Sequence, residues 1–190
     1  TCVVGALGVA IATSACTSSP ATPPAAPPTA PSVPRAAAEP VTPISPAAAR
    51  DTFVLTGLRP IGRTRGEIID RAGRPDSVRV RAVPNRHVEG QIDTVATLYY
   101  PELRAELYVI SGGRELLMSV LVRDDRWLAS DRIRIGMPWR RVPELLGPPL
   151  DTQNGRPAYW CAGCLGAEDP VLFHVEDGVV RAVEFTYYVD

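Results

Sequence analysis

Lysine is absent from the 190 residues, so all 20 basic side chains are arginines. The coding bias of a GC-rich genome accounts for that without invoking function. Charge of neither sign is in excess, the net value being −1, and nothing in that balance points to nucleic acid. Histidine is scarce: only His87 and His174 occur, alongside a single Cys-x-x-C pair at Cys161 and Cys164. A zinc site wants four ligands, and this set does not suggest one. No glycine-rich loop is placed to cradle a phosphate. The adjacent acids Asp124-Asp125 and Glu168-Asp169 read as solvated turn residues, because calcium needs more oxygen ligands at regular spacing. No Ser or Cys stands in a nucleophile's setting, which leaves a hydrolytic triad on His87 little ground. We therefore expect no metal, no cofactor and no catalytic residue.

What the chain does have is a repeated skeleton. Ile61-Gly62, Ile68, Gly73 and Pro75 recur 74 residues later, without a gap, as Ile135-Gly136, Val142, Gly147 and Pro149. One unit has been used twice. In the first copy Thr64 and Glu67 form a T-x-x-E capping box, where each side chain satisfies an orphan NH at the start of a helix. Gly73 and Pro75 then end that helix, since glycine tolerates the left-handed conformation and proline cannot continue. In the second copy Pro138 replaces the capping threonine and Pro143 lacks an NH. A kinked or 3₁₀-like opening is expected there, with a regular turn only from Pro143 to Leu146.

The N-terminus differs in composition. Residues 3 to 12 are an apolar run of signal-peptide length, too short to span a bilayer, followed by Thr13-Ser14-Ala15-Cys16. That order resembles the lipobox of bacterial lipoproteins, with Cys16 as the lipidated residue, although Thr13 stands where leucine is usual. Simple cleavage after Ala15 is the alternative, and both export the protein. Without an initiator Met or a charged stretch, the signal (1–15) reads as truncated at its start. From Thr17 to Arg50, ten Pro and ten Ala fill 34 residues. Such a stretch buries too little surface to repay its ordering. Residues 16–50 are thus a lipidated Cys and a tether, which as polyproline II reaches roughly 100 Å at about 3.1 Å per residue.

Residues 51–190 suffice for one folded region. Val78, Val80 and Ala82 alternate with Arg79 and Arg81, a period of two that puts charge on one face. Further strands are expected at 94–100, 105–110, 116–122, 157–161, 171–175 and 179–187, with Asp177-Gly178 as a hairpin turn. The fold class expected is α+β: two tandem units, 51–125 and 126–190, each a short helical element on an antiparallel sheet of three to four strands. Arginines concentrate between Arg59 and Arg86, and acids between Glu144 and Asp190, so the folded part should have a basic and an acidic end. Two solvated faces of opposite sign, or a site for an anionic lipid or acidic protein surface, both fit.

The skeleton, together with Leu146, Leu172, Phe173, Asp177, Gly178 and Val179, resembles the β-lactamase inhibitor protein fold and the related SmpA/OmlA/BamE outer-membrane lipoprotein domain. Two tandem copies look like the former; a lipobox and tether look like the latter. The motif is structural and fixes a turn and a helix stop. The resemblance implies structural disulfides, in line with the reading of Cys161 and Cys164 as a bond that pins a loop in an exported protein. A redox pair would instead need a helix N-terminus to lower a thiol pKa. His174, inside an alternating strand, should face away from Phe173. Tyr99, Tyr108, Trp139, Trp160 and Tyr187 are candidates for a binding surface on an open sheet face. Together these give a non-catalytic protein-binding lipoprotein on the periplasmic side of a membrane, the outer one favoured, with an unknown envelope protein as partner. The alternatives are a BamE-like assembly factor and a thiol/disulfide protein.

Overall fold

The computed structural model describes residues 44–164 and 169–187. The signal segment, Cys16 and most of the tether lie outside the described residues. The first helix, α1, spans Pro46–Thr56; the Ser45 side chain accepts from Ala48 N and Pro46 opens the helix. Both are favourable, because proline's missing NH would be an orphan there anyway. The last five residues assigned to the tether, 46–50, are thus helical.

Helix α2 spans Arg65–Ala72, with both halves of the Thr64–Glu67 capping box present. Helix α3 is Arg141–Leu146. It is entered through 3₁₀-type bonds, Arg141 N to Pro138 O and Val142 N to Trp139 O. Regular helix starts two residues ahead of Pro143, earlier than expected. Pro143 is the third helical residue, where an NH has no intrahelical partner.

The described residues form eight strands: β1 Ser77–Pro84, β2 Ile92–Tyr99, β3 Leu103–Val109, β4 Glu115–Val122, β5 Asp151–Gln153, β6 Arg156–Tyr159, β7 Val171–Glu176 and β8 Val179–Thr186. They form one antiparallel sheet in the order β1-β2-β3-β4-β8-β7-β6-β5. This overturns the expected pair of tandem α+β units. Strands β4 and β8 pair directly, Ser119 with Thr186 through Val122 with Val183, so no boundary falls near residue 125. The reason lies in their composition. Val120, Leu121 and Val122 of β4, and Ala182, Val183, Glu184 and Phe185 of β8, are all buried. Strands buried on both faces sit inside a sheet, and joining the two meanders at these strands removes two exposed edges.

The repeated skeleton is a repeat of backbone conformation. Gly62 and Gly136 have φ of 99° and 86°, and Gly73 and Gly147 have 82° and 79°. A Cβ on Gly62 would come within 2.5 Å of the Glu67 Cβ, so the capping box and this glycine require each other. Ile68 and Val142, the shared apolar position, are both fully buried.

The core lies between the helices and the inner sheet face. Phe173 of β7 is its aromatic hub, with ring centroids at 6.0 Å from Phe53 of α1, 5.6 Å from Trp139 and 5.4 Å from Tyr159. The buried residues of all three helices belong to the same cluster as Leu98, Leu107, Val120 and Val183. Near β1 this cover stops, leaving Val78 and Val80 exposed.

Candidate functional site

The register sorts the side chains between two faces. Through Leu98, Ala105, Val120, Phe185 and Val171 runs a row that belongs to the core side. The adjacent row, one residue along each strand, runs Tyr99, Arg104, Leu121, Glu184, Leu172 and Ala158. It lies on the outer face by the period of two. No helix among the described residues contributes to that side.

Glu184 is the centre of this face. It is buried, and its Oε2 lies 2.7 Å from His174 Nε2 and 3.2 Å from Arg156 Nη1. Its Oε1 lies 3.7 Å from Arg104 Nη2, and Arg104 Nε is in turn 3.6 Å from Glu106. Facing an ionised carboxylate, which can only accept, His174 Nε2 carries the proton and donates. That hydrogen bond, then the positive charges around it, holds the Glu184 carboxyl below its ordinary range although burial opposes this. The Arg104 and Arg156 side chains remain 29% and 40% exposed, although Arg104 Nε itself is buried.

A second polar cluster lies further along β2. Asp93, 1% exposed, accepts from the Tyr108 hydroxyl and Asn85 Nδ2 at 2.6 Å and from Gln91 Nε2 and Ser111 N at 2.8 Å. The Tyr108 hydroxyl first, and then the Ser111 NH and the two amides, hold its carboxyl far below the carboxylate range. Tyr108 responds with a raised pKa, chiefly through the same bond. This cluster fastens the β1–β2 and β3–β4 turns to each other.

The sequence-derived surface residues do not share one surface. Tyr99 and Tyr108 lie on the outer face, Tyr108 with its hydroxyl committed to Asp93. Trp139 and Tyr187 pack against the core cluster, and Trp160 is half-buried just beyond β6. Cys161 and Cys164 are joined in a disulfide with a Cα separation of 5.3 Å. The pair follows β6, and no helix begins at Cys161. Asp177 and Gly178, with φ of 51° and 71°, make a turn with both central residues left-handed, and Asn154 and Gly155 make its twin between β5 and β6. His174 does face away from Phe173, toward Glu184. No group of three His, Cys, Asp or Glu among the described residues is placed to hold a metal ion.

Sequence reasoning missed Glu184, Arg104, Arg156 and Asp93. A lone acid inside a strand pattern, between apolar neighbours in Val183-Glu184-Phe185 and between β-branched ones in Ile92-Asp93-Thr94, was the available signal. It marks a strand carboxylate that needs partners, without saying which. No family model, curated protein or solved structure matches the chain.

Proposed function

We propose that the chain is a non-catalytic protein-binding module of the bacterial cell envelope, exported and held on the periplasmic side of a membrane by lipid on Cys16. The observation that carries this reading is the outer sheet face. It has no helix over it among the described residues and presents the cluster of Arg104, Arg156, His174 and Glu184 beside Tyr99. Its arginines stand around a buried carboxylate while their side chains stay part-exposed, the arrangement of a recognition surface. Binding is stoichiometric, with no turnover. The lipobox-like segment and the skeleton's resemblance to inhibitor-protein and outer-membrane lipoprotein motifs support the same reading. The disulfide gives a thiol exchange role no support, because Cys161 is 3% exposed and lacks the helix N-terminus that lowers a thiol's pKa.

The test is a crosslinking pull-down from envelope fractions of the native host with the full-length protein, its Cys16→Ala variant and the double variant Arg104→Glu/Arg156→Glu. One stoichiometric protein captured by the wild type and lost with the double variant supports the reading. Loss of membrane association with Cys16→Ala supports the anchor. A catch that survives charge reversal, or no catch from a protein still in the membrane fraction, refutes the outer face as the recognition surface.

A further inference from the structure

On the helical side of the sheet a cleft of about 890 Å³ opens between the end of α1, the 59–64 connection, the start of α2 and the strand ends of β4, β7 and β8. This is the size of a small-molecule site. One wall is apolar and includes Leu55, Leu58, Leu117 and Phe185, while Arg59, Arg63, Arg71 and Arg114 also line the cleft. Three carboxylates, Glu67, Glu115 and Asp169, share the lining, and each has partners of its own. Glu67 Oε2 accepts from Arg63 N at 2.7 Å and Thr64 N at 3.3 Å, and Glu115 Oε2 accepts from Arg65 N at 2.6 Å. Glu115 also lies 3.4 Å from Arg65 Nε, so its charge is met by a residue outside the cleft lining.

The arginines are less committed. Arg59 donates its Nε to Leu128 O at 2.9 Å. Arg71 is close enough to Glu67 to lower that carboxyl's pKa slightly, behind the backbone bonds that lower it more. No ion pair within the described residues engages the Arg63 or Arg114 guanidinium. Arg63 is near enough to the half-buried Tyr187 to offset part of the rise that burial imposes on its hydroxyl. Uncommitted guanidinium groups beside an apolar wall select an anion with an apolar body, since the fork binds carboxylate or phosphate and the wall excludes water from the rest.

We infer that this cleft binds a monomeric acyl-chain anion, its headgroup held by Arg63 and Arg114 and its chain lying along Leu55, Leu58 and Leu117. The site is separate from the outer face, so either reading can fail without the other.

Calorimetric titration of the full chain with laurate, below its micelle concentration, tests this. Acetate supplies the headgroup alone, dodecyltrimethylammonium the same chain with the opposite charge, and dodecyl phosphate the alternative anionic head. We expect one laurate per chain, with acetate and the cation at least tenfold weaker. Arg63→Gln/Arg114→Gln should lose at least tenfold in laurate affinity. Leu55→Gln, at a position 57% exposed and so safe for folding, should lose affinity for laurate and dodecyl phosphate alike. Tighter binding of dodecyl phosphate than laurate would keep the site and identify a phosphate head. No laurate or dodecyl phosphate binding, equal affinity for the cation, or unchanged affinity in both variants with native circular dichroism would overturn the inference.

Discussion

Replacing Glu184 with glutamine keeps the side chain's shape and one carbonyl acceptor while removing the charge that organises the outer face. The His174 contact at 2.7 Å is a charge-assisted hydrogen bond, a class worth about 1.5–3 kcal/mol when fully made. Arg156, at 3.2 Å but 40% exposed, adds at most about 0.5 kcal/mol after solvent screening. Arg104, at 3.7 Å, is beyond hydrogen-bond range and adds less. The glutamine carbonyl recovers part of the His174 bond, so Glu184→Gln should cost about 1.5 kcal/mol near neutral pH. For a domain of this size that lowers Tm by about 4 °C. The pH dependence gives the sharper check. The folded pKa of Glu184 lies below the ordinary 4.5, so its contribution is present above that value and is lost as pH falls through the folded one. As pH falls below 4.5, thermal melts should therefore show the wild type approaching Glu184→Gln. In a His174→Gln background the cost of Glu184→Gln should shrink to about 0.5 kcal/mol. A gap that persists undiminished at acid pH, or one below about 1 °C at neutral pH, would refute the assignment of Glu184 as the charged centre.

Thr64→Ala removes the side-chain half of the α2 capping box and should cost about 1 kcal/mol in urea unfolding. Phe173→Ala empties the space shared with Phe53, Trp139 and Tyr159, for about 3–5 kcal/mol; loss of near-ultraviolet circular dichroism would report it. Cys161→Ser/Cys164→Ser opens a loop closed over a sequence separation of only 3. Its loop-closure value is about 2 kcal/mol, read as a lower urea midpoint, and partner capture should survive it.

Features whose cause is local were legible in the chain. The Thr64–Glu67 box, the Asp177-Gly178 turn and the strand β1 each need only a few consecutive residues, and each is present in the fold, although β1 buries neither face. Two further local signals were there to be read: Ser45-Pro46, hidden by the proline and alanine around it, and Asn154-Gly155, whose flanking strands are too short to show a period. The β4–β8 pairing was out of reach, because a strand's own pattern reports that both faces are buried and not which neighbour buries its edge. The Glu184 site depends on that pairing twice. Arg104 reaches Glu184 only because β4 sits between β3 and β8, and His174 does so only through the β7–β8 register, which shifts beside it at Val175.

Among the described residues no helix covers the outer face, and yet it is largely dry beneath its polar groups. Val95, Leu121, Leu172 and Ala182 lie on it and are buried, though no described helix covers them. Their neighbours in the register are Tyr108, Arg104, Glu184 and His174, long polar side chains that lie over small apolar ones. An approaching partner therefore meets charge before it meets apolar surface, and the buried Glu184 fixes where those charges stand. Recognition of this kind draws its specificity and encounter rate from electrostatic complementarity more than from area. Partner association should then slow markedly between about 50 mM and 500 mM salt, where screening shortens from about 14 Å to about 4 Å, while dissociation changes little. Salt-insensitive association in stopped-flow measurements would mean that the arginines are not what the partner meets, and that the sheet's exposed β1 end, with Val78 and Val80, is the surface to probe instead.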